Sequence, residues 1–237
     1  MINGIEILSS AAIGQIRRLD CATHNIANVN TPGFKAERFR FLKGSAGWGT
    51  DAGRPAQGPA TMVDYSQGIL QKTDNVLDLA INGKGFFAVQ TKDGVAYTKD
   101  GRFTLNEDGM LVTHAGDSVI GKQGKIIIAG NDIQISQGGV ISVDGNETDA
   151  LKIVSFDKPS ALVKLNKGLY RDPDNLAGTK KEEESQIQSG YLELSNVQPI
   201  REMVEMINIQ RTFESYQKVM QTISEQNKMS TNRVGNL

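Results

Sequence analysis

The chain has 237 residues, with 26 Lys and Arg against 27 Asp and Glu, for a formal net charge of −1. That length suits one large domain or two small ones, and 25 glycines and 6 prolines with only 6% aromatics favour turns and strands over an all-helical body. The balanced charge and the lack of any Lys/Arg block exclude a broad electrostatic footprint for nucleic acid, and no apolar run approaches the roughly 20 residues of a bilayer-spanning helix.

The first zone, residues 1–34, is helical. Ile5, Leu8, Ala12, Gln15, Leu19, Ala22, Ile26 and Val29 recur at alternating spacings of three and four, a heptad seam with Gln15 as its one polar member. Thr31-Pro32-Gly33 closes it, because Pro32 drives Thr31 out of the helical region and Gly33 permits a turn. The N-terminus does not resemble a cleaved Sec signal: no Lys or Arg precedes residue 17, and the apolar stretch is interrupted by Ser9, Ser10 and Gly14. By these rules alone the chain would be cytoplasmic.

Residues 35–66 form an irregular, partly extended connector, basic and aromatic from Lys35 to Phe41 and then punctuated by Gly44, Gly47, Gly49, Gly53, Pro55, Gly58 and Pro59. Residues 67–189 are expected to be an antiparallel β domain. Candidate strands are Leu77–Ile81, Phe86–Gln90, Val95–Thr98, Arg102–Leu105, Lys125–Ala129, Ile133–Ser136, Val140–Val143 and Leu151–Phe156. Asp93-Gly94, Asp100-Gly101, Asp108-Gly109 and Asp144-Gly145 each suit a tight hairpin turn. The polar stretch 171–189, with Lys180-Lys181-Glu182-Glu183-Glu184, is expected to be a solvated connector. Residues 190–237 hold a second heptad helix and a tail. Ser195-Asn196 can cap it and Pro199 fits its first turn. Met206, Ile209, Phe213, Tyr216, Met220 and Ile223 make one row, and Ile200, Met203 and Ile207 lie beside it, so one partner cannot cover both. The predicted fold is α+β: two terminal heptad helices forming a coiled-coil inner domain, with a mainly antiparallel β domain inserted between them.

No motif assembles into a catalytic set. Gly83-Lys84-Gly85 and Gly121-Lys122-Gln123-Gly124-Lys125 lack the Ser/Thr and following helix of a phosphate loop and are read as hairpin turns. Cys21 and His24 are a helical i, i+3 pair with no orienting acid nearby in sequence, and His114 is read as a surface residue. Asp172-Pro173-Asp174-Asn175 lacks the Gly and terminal Glu of a calcium loop and is read as a polar turn, as is Asn146-Glu147-Thr148. The single cysteine and two distant histidines argue against a metal cage. Neither a cofactor nor a metal is expected, nor an enzyme. Met203, Met206, Met220 and Met229 suit either core filling or an adaptable interface.

Three stretches carry a resemblance. Asn25-Ile26-Ala27-Asn28-Val29-Asn30-Thr31-Pro32-Gly33-Phe34-Lys35 resembles the N-terminal signature of bacterial flagellar axial proteins, the rod and hook family. Gly190-Tyr191-Leu192-Glu193-Leu194-Ser195-Asn196-Val197, followed by Arg201–Ile207 and Gln210–Glu214, resembles its C-terminal signature. Leu79–Phe87 and Tyr97–Phe103 resemble its β-domain strands. The length and the tail after the helix resemble proximal-rod members most, with distal-rod members next. Cys21 and His24 depart from the small polar residues more usual there.

The resemblance implies a structural subunit of the periplasmic rod of the flagellar basal body. Such a chain leaves the cell through the flagellar export apparatus without a cleaved Sec signal and transmits torque. Its implied partners are copies of itself, adjacent rod proteins and that apparatus, with no nucleic acid and no membrane insertion. The expected assembly interface comprises Ile5, Leu8, Ala12, Leu19, Ile26, Asn28, Pro32, Gly33, Phe34, Ile200, Met203, Met206, Ile209, Phe213, Tyr216, Met220 and Ile223. A soluble coiled-coil adaptor is the alternative from another class.

Overall fold

A computed structural model describes residues 2–40, 60–181 and 185–234. The side chain of Ile5, the Gly/Pro-punctuated part of the connector, Glu182–Glu184 and the last residues of the tail lie outside what it describes. In chain order the elements are α1 (Ile2–Ala27), β1 (Glu37–Arg40), β2 (Ala60–Val63), β3 (Leu70–Lys72), β4 (Leu79–Asn82), β5 (Phe86–Thr91), β6 (Gly94–Thr98), β7 (Phe103–Leu105), β8 (Leu111–Thr113) and β9 (Ser118–Val119). They continue with β10 (Ile133–Ile135), β11 (Val140–Val143), β12 (Asn146–Ala150), β13 (Ile153–Phe156), β14 (Val163–Lys164), β15 (Leu169–Arg171), β16 (Thr179–Lys181), β17 (Gln186–Ser189), β18 (Tyr191–Glu193) and α2 (Pro199–Val234). The chain divides into a helical unit of residues 1–27, 37–62 and 198–237, and a β unit of residues 28–36 and 63–197. The architecture is α+β: a helix at each end and a mainly antiparallel β region in the middle.

In the helical unit, α1 and α2 pack side by side and β1 pairs with β2. Pro199 occupies the first turn of α2, where its missing N–H goes unused, and Glu202 complements the positive end of the helix dipole there. Ala12, Gln15 and Ala22 are buried on α1, and Leu8, Leu19 and Ile26 are half-buried. On α2, Ile209 is buried, and Met206, Phe213, Tyr216, Met220 and Ile223 are half-buried. The small alanines leave room for the backbones to approach.

In the β unit the largest sheet runs β14-β15-β6-β5-β9-β8-β7, with β13 pairing both β5 and β16. Separate antiparallel sheets are β10-β11-β12, β17-β4 and β18-β3. Phe86, Phe87, Ala88 and Val89 of β5 are all buried. Phe87 and Val89 enter one core with Leu79, Ile81, Phe103, Leu111, Ile126, Ile141 and Ile187, while Phe86 enters a second with Phe156 and Tyr170. A strand buried on both faces reads as a continuous apolar run, which is what this segment shows.

Several sequence expectations need correction. The stretch 171–189 is not only a solvated connector. It carries β16 and β17, and Ile187 is 1% exposed, paired with Ile81 across β17-β4 and packed in the main core. One apolar side chain among polar neighbours leaves no periodic signal. Lys125–Ala129 is extended but not a strand. It makes only isolated bridges at Lys125 and Ile127, although Ile126 and Ile128 are buried. Gly83-Lys84-Gly85 is a turn but not a hairpin, since β4 pairs with β17 and β5 with β6. Asn146–Thr148 begins β12 and is not itself a turn. Three of the Asp-Gly pairs sit in hairpins, and at Asp144-Gly145 both residues take positive φ, of 50° and 81°, as a type I′ turn requires. At Asp100-Gly101 the glycine serves close approach instead: a Cβ there would lie 1.6 Å from the Leu79 carbonyl oxygen.

Candidate assembly surface and the contacts that support it

Polar side chains set the register of the helical unit. Asn25, near the end of α1, is 1% exposed. Its Nδ2 donates to the Glu37 carbonyl at 2.9 Å, its Oδ1 accepts from the Glu37 N–H at 2.8 Å, and Nδ2 also reaches Glu202 Oε2 at 3.2 Å. Arg38 Nη1 donates to Glu202 Oε1 at 2.9 Å. Farther along, Arg18 pairs with Glu205. Going from Asn25 to Arg18 on α1 therefore means going from Glu202 to Glu205 on α2, so the helices are antiparallel. Glu202 is 3% exposed and has two partners, which a buried carboxylate needs.

Clefts beside this network flank Cys21, one of about 210 Å³ lined by Arg18, Arg38, Arg201, Glu202 and Glu205, another of about 420 Å³ lined by His24, Glu37 and Thr61. Burial pushes the Cys21 thiol above its ordinary pKa, against the bond to Thr61 Oγ1 at 3.7 Å that lowers it. A thiol raised in this way is a poor nucleophile. His24 Nδ1 lies 3.1 Å from Glu37 Oε1, not on the thiol. Among the described residues no group of three or more His, Cys, Asp or Glu is placed to hold a metal ion, and no helix is long and apolar enough to cross a membrane.

The outer side of α2 is different. Ile200 is 78% exposed, Met203 and Val204 52%, and Ile207 50%, at the i, i+3, i+4, i+7 spacing of one helical stripe. On α1, Ile13 and Ile16 are also exposed. The two rows of α2 thus part company, the Met206–Ile223 row facing inward and the Ile200–Ile207 row open. Val204, exposed in that stripe, was absent from the sequence-derived set, though its i, i+4 relation to Ile200 marks it.

Asn28, Pro32, Gly33 and Phe34 fall in the β unit. Phe34 is 4% exposed and packs with Ala36 and Val197, with Val29 against them. The Gly33 N–H donates to the Glu193 carbonyl at 2.7 Å, and φ there is +69°. A Cβ would meet Asp100 N at 2.3 Å, so only glycine fits. Asn196 is the junction of this region. Its Oδ1 accepts from the Ala36 N–H at 2.8 Å, and its Nδ2 donates to the carbonyls of Asp64 at 2.8 Å and Ser66 at 3.0 Å. Lys35 and Glu193, both 1% exposed, pair at 2.6 Å. The N- and C-terminal signature stretches therefore meet inside the β unit. Sequence reasoning missed this because positions so far apart carry no mutual signal. The one hint was a Lys and a Glu inside signatures, residues 25–35 and 190–197, that are otherwise uncharged.

Three family models match the chain: "Flagella basal body rod protein" over residues 5–35, "Flagellar hook protein FlgE/F/G D1 domain" over 80–143, and "Flagellar basal body rod FlgEFG protein C-terminal" over 188–233. A flagellar basal-body rod protein FlgF of Caulobacter vibrioides is 34% identical, with all of both chains aligned. A rod protein FlgG of Bacillus subtilis is 35% identical over 88% of this chain and 90% of its own. A FlgF of Mesorhizobium japonicum is 28% identical over 93% and 92%.

Proposed function

The chain belongs to the flagellar basal-body rod protein family and is a structural subunit of the basal body, and we propose that it polymerises through its terminal helices, with the outer row of α2 as the contact to the next subunit. The exposure of Ile200, Met203, Val204 and Ile207 carries this reading. A stripe of four large apolar residues on one helix is costly to leave in water, at about 25 cal/mol per Å² of apolar area. The inner row belongs to the α1–α2 pair, whose spacing suits a coiled coil, and is therefore not the surface offered to other copies. A head-to-tail contact whose rotation does not close on itself builds a helical filament. Such a filament transmits torque because each subunit holds several neighbours.

The chain's place is the proximal rod, with copies of itself and adjacent rod proteins as partners. The FlgF of C. vibrioides aligning over all of both chains supports this. Export through the flagellar apparatus delivers it. Of the sequence-derived interface residues, Ile200 and Met203 belong to the outer contact. Leu8, Ala12, Leu19, Ile26, Met206, Ile209, Phe213, Tyr216, Met220 and Ile223 act through the helix pair, and Asn28, Pro32, Gly33 and Phe34 act through the β unit.

A photo-crosslinking side chain at position 207 or 209, two residues apart, tests the division in isolated basal bodies. Position 207 should give adducts between subunits and position 209 adducts within one chain. Intrachain adducts alone from position 207 would refute the outer contact.

A further inference from the structure

The β unit buries three charged side chains around one point. Lys35 and Glu193 are 1% exposed and Lys99 3%. Lys35 Nζ lies 2.6 Å from Glu193 Oε1 and 2.7 Å from the Ser66 carbonyl, and the Gly68 N–H donates to the same Oε1 at 2.8 Å. Lys99 Nζ donates to the Gly83 carbonyl at 2.8 Å, sits 5.3 Å over the Phe86 ring, and is 3.9 Å from Glu193 Oε2. Two cations thus share one carboxylate away from water. Either partner buried alone costs more than the pair returns, so Lys35 is seated only when Glu193 is.

The main core contains no residue from 28–36 or 190–197. It can form while these two segments are still open. The cluster that closes over them is small, Phe34, Ala36 and Val197. The closed state gathers four points of the chain: Val29 packs against this cluster, and three others are joined by hydrogen bonds. Ala36 is bonded to Asn196 and, through its carbonyl, to the Asp64 N–H at 2.8 Å, and Asn196 is bonded to Asp64. Residues 28, 36, 63 and 197 are the ends of the β unit's two chain segments.

We propose that Lys35, Glu193 and Lys99 form a charge-dependent lock that seats residues 28–36 against the C-terminal strand as the last step in closing the β unit, making its four chain ends one rigid root. The lock lies within one chain and needs no partner.

Hydrogen exchange on the full chain tests this, comparing wild type, Glu193→Gln, Lys35→Met and the double variant. Glu193→Gln strands two buried cations. The amides of Gly33, Ala36 and Asp64 should then exchange at least about tenfold faster, with those of Leu111, Ile120 and Ile128 unchanged. Adding Lys35→Met removes one stranded cation and should restore part of the lost protection. Unchanged exchange at Gly33 and Ala36 in Glu193→Gln would overturn the lock. So would equal loss at Leu111 and Ile120, which would make the cluster part of the main core. A double variant worse than either single one would show that shape matters and charge does not.

Discussion

Asn25 and Asn196 do the same work in different units. Each presents a primary amide to backbone, accepting from an N–H and donating to a carbonyl. Aspartate, lacking the donor, or leucine, lacking both groups, would leave buried backbone groups unpaired. Asn196→Leu is therefore expected to lower the stability of the β unit by about 1–3 kcal/mol in urea unfolding. Gly33→Ala should be worse than a change of one methyl suggests, at about 2 kcal/mol or more, because positive φ and the contact with Asp100 N act together. A variant as stable as wild type would mean that residues 28–36 do not dock as described. Cys21 offers a chemical readout of the helical unit. With its thiol pKa raised by burial, the native chain should react with iodoacetamide at pH 8 at least about tenfold more slowly than the chain in urea. Above the ordinary thiol pKa the unfolded chain loses this proton while the native one keeps it, so this group's effect on stability is nil at neutral pH and destabilising as pH rises above about 9.

The helices were the most legible elements, because a spacing of three and four repeated many times admits one reading. The two rows of α2 were legible too, and so was the need for two partners. Which row would be covered at home was not, since that depends on Glu202 and Glu205 finding Asn25, Arg38 and Arg18 across the pair. β5, a continuous apolar run, and β6, framed by Asp93-Gly94 and Asp100-Gly101, were legible. β8, β9 and β14 to β18 were not, because each is only two to four residues long, and β15, β17 and β18 pair with strands far away in sequence. β17 shows it best, with Ile187 opposite Ile81 across more than a hundred positions. The candidate site divides in the same way. Its apolar rows were readable from periodicity, and the Lys35–Glu193 pair was not. At this scale Ile209→Asp, on the inner row at 2% exposure, should strip helical circular dichroism from the isolated subunit, whereas Ile207→Asp should leave it unchanged. In both variants the thermal transition of the β unit should stay put. Equal loss of helix from the two would mean that the outer row is also needed within the chain.

For the whole molecule, the family membership and the geometry point the same way. The matched rod models fall on α1 and on β17 to α2, and the D1 model falls in the β unit. A structural subunit of the rod needs no cleft chemistry. What it needs is a folded body that still exposes adhesive surface, and the exposed stripe from Ile200 to Ile207 is the surface proposed for that role. An inserted charge there must be desolvated in the filament but not in the monomer, so it separates assembly from folding. The decisive measurement is the amount of subunit retained in isolated basal bodies from cells producing Ile207→Asp at wild-type level, after the exported variant has been shown to fold. The subunit should be absent or depleted at least about tenfold, and the cells non-motile. Basal bodies carrying the variant at the wild-type amount would contradict the outer row of α2 as the polymerising contact.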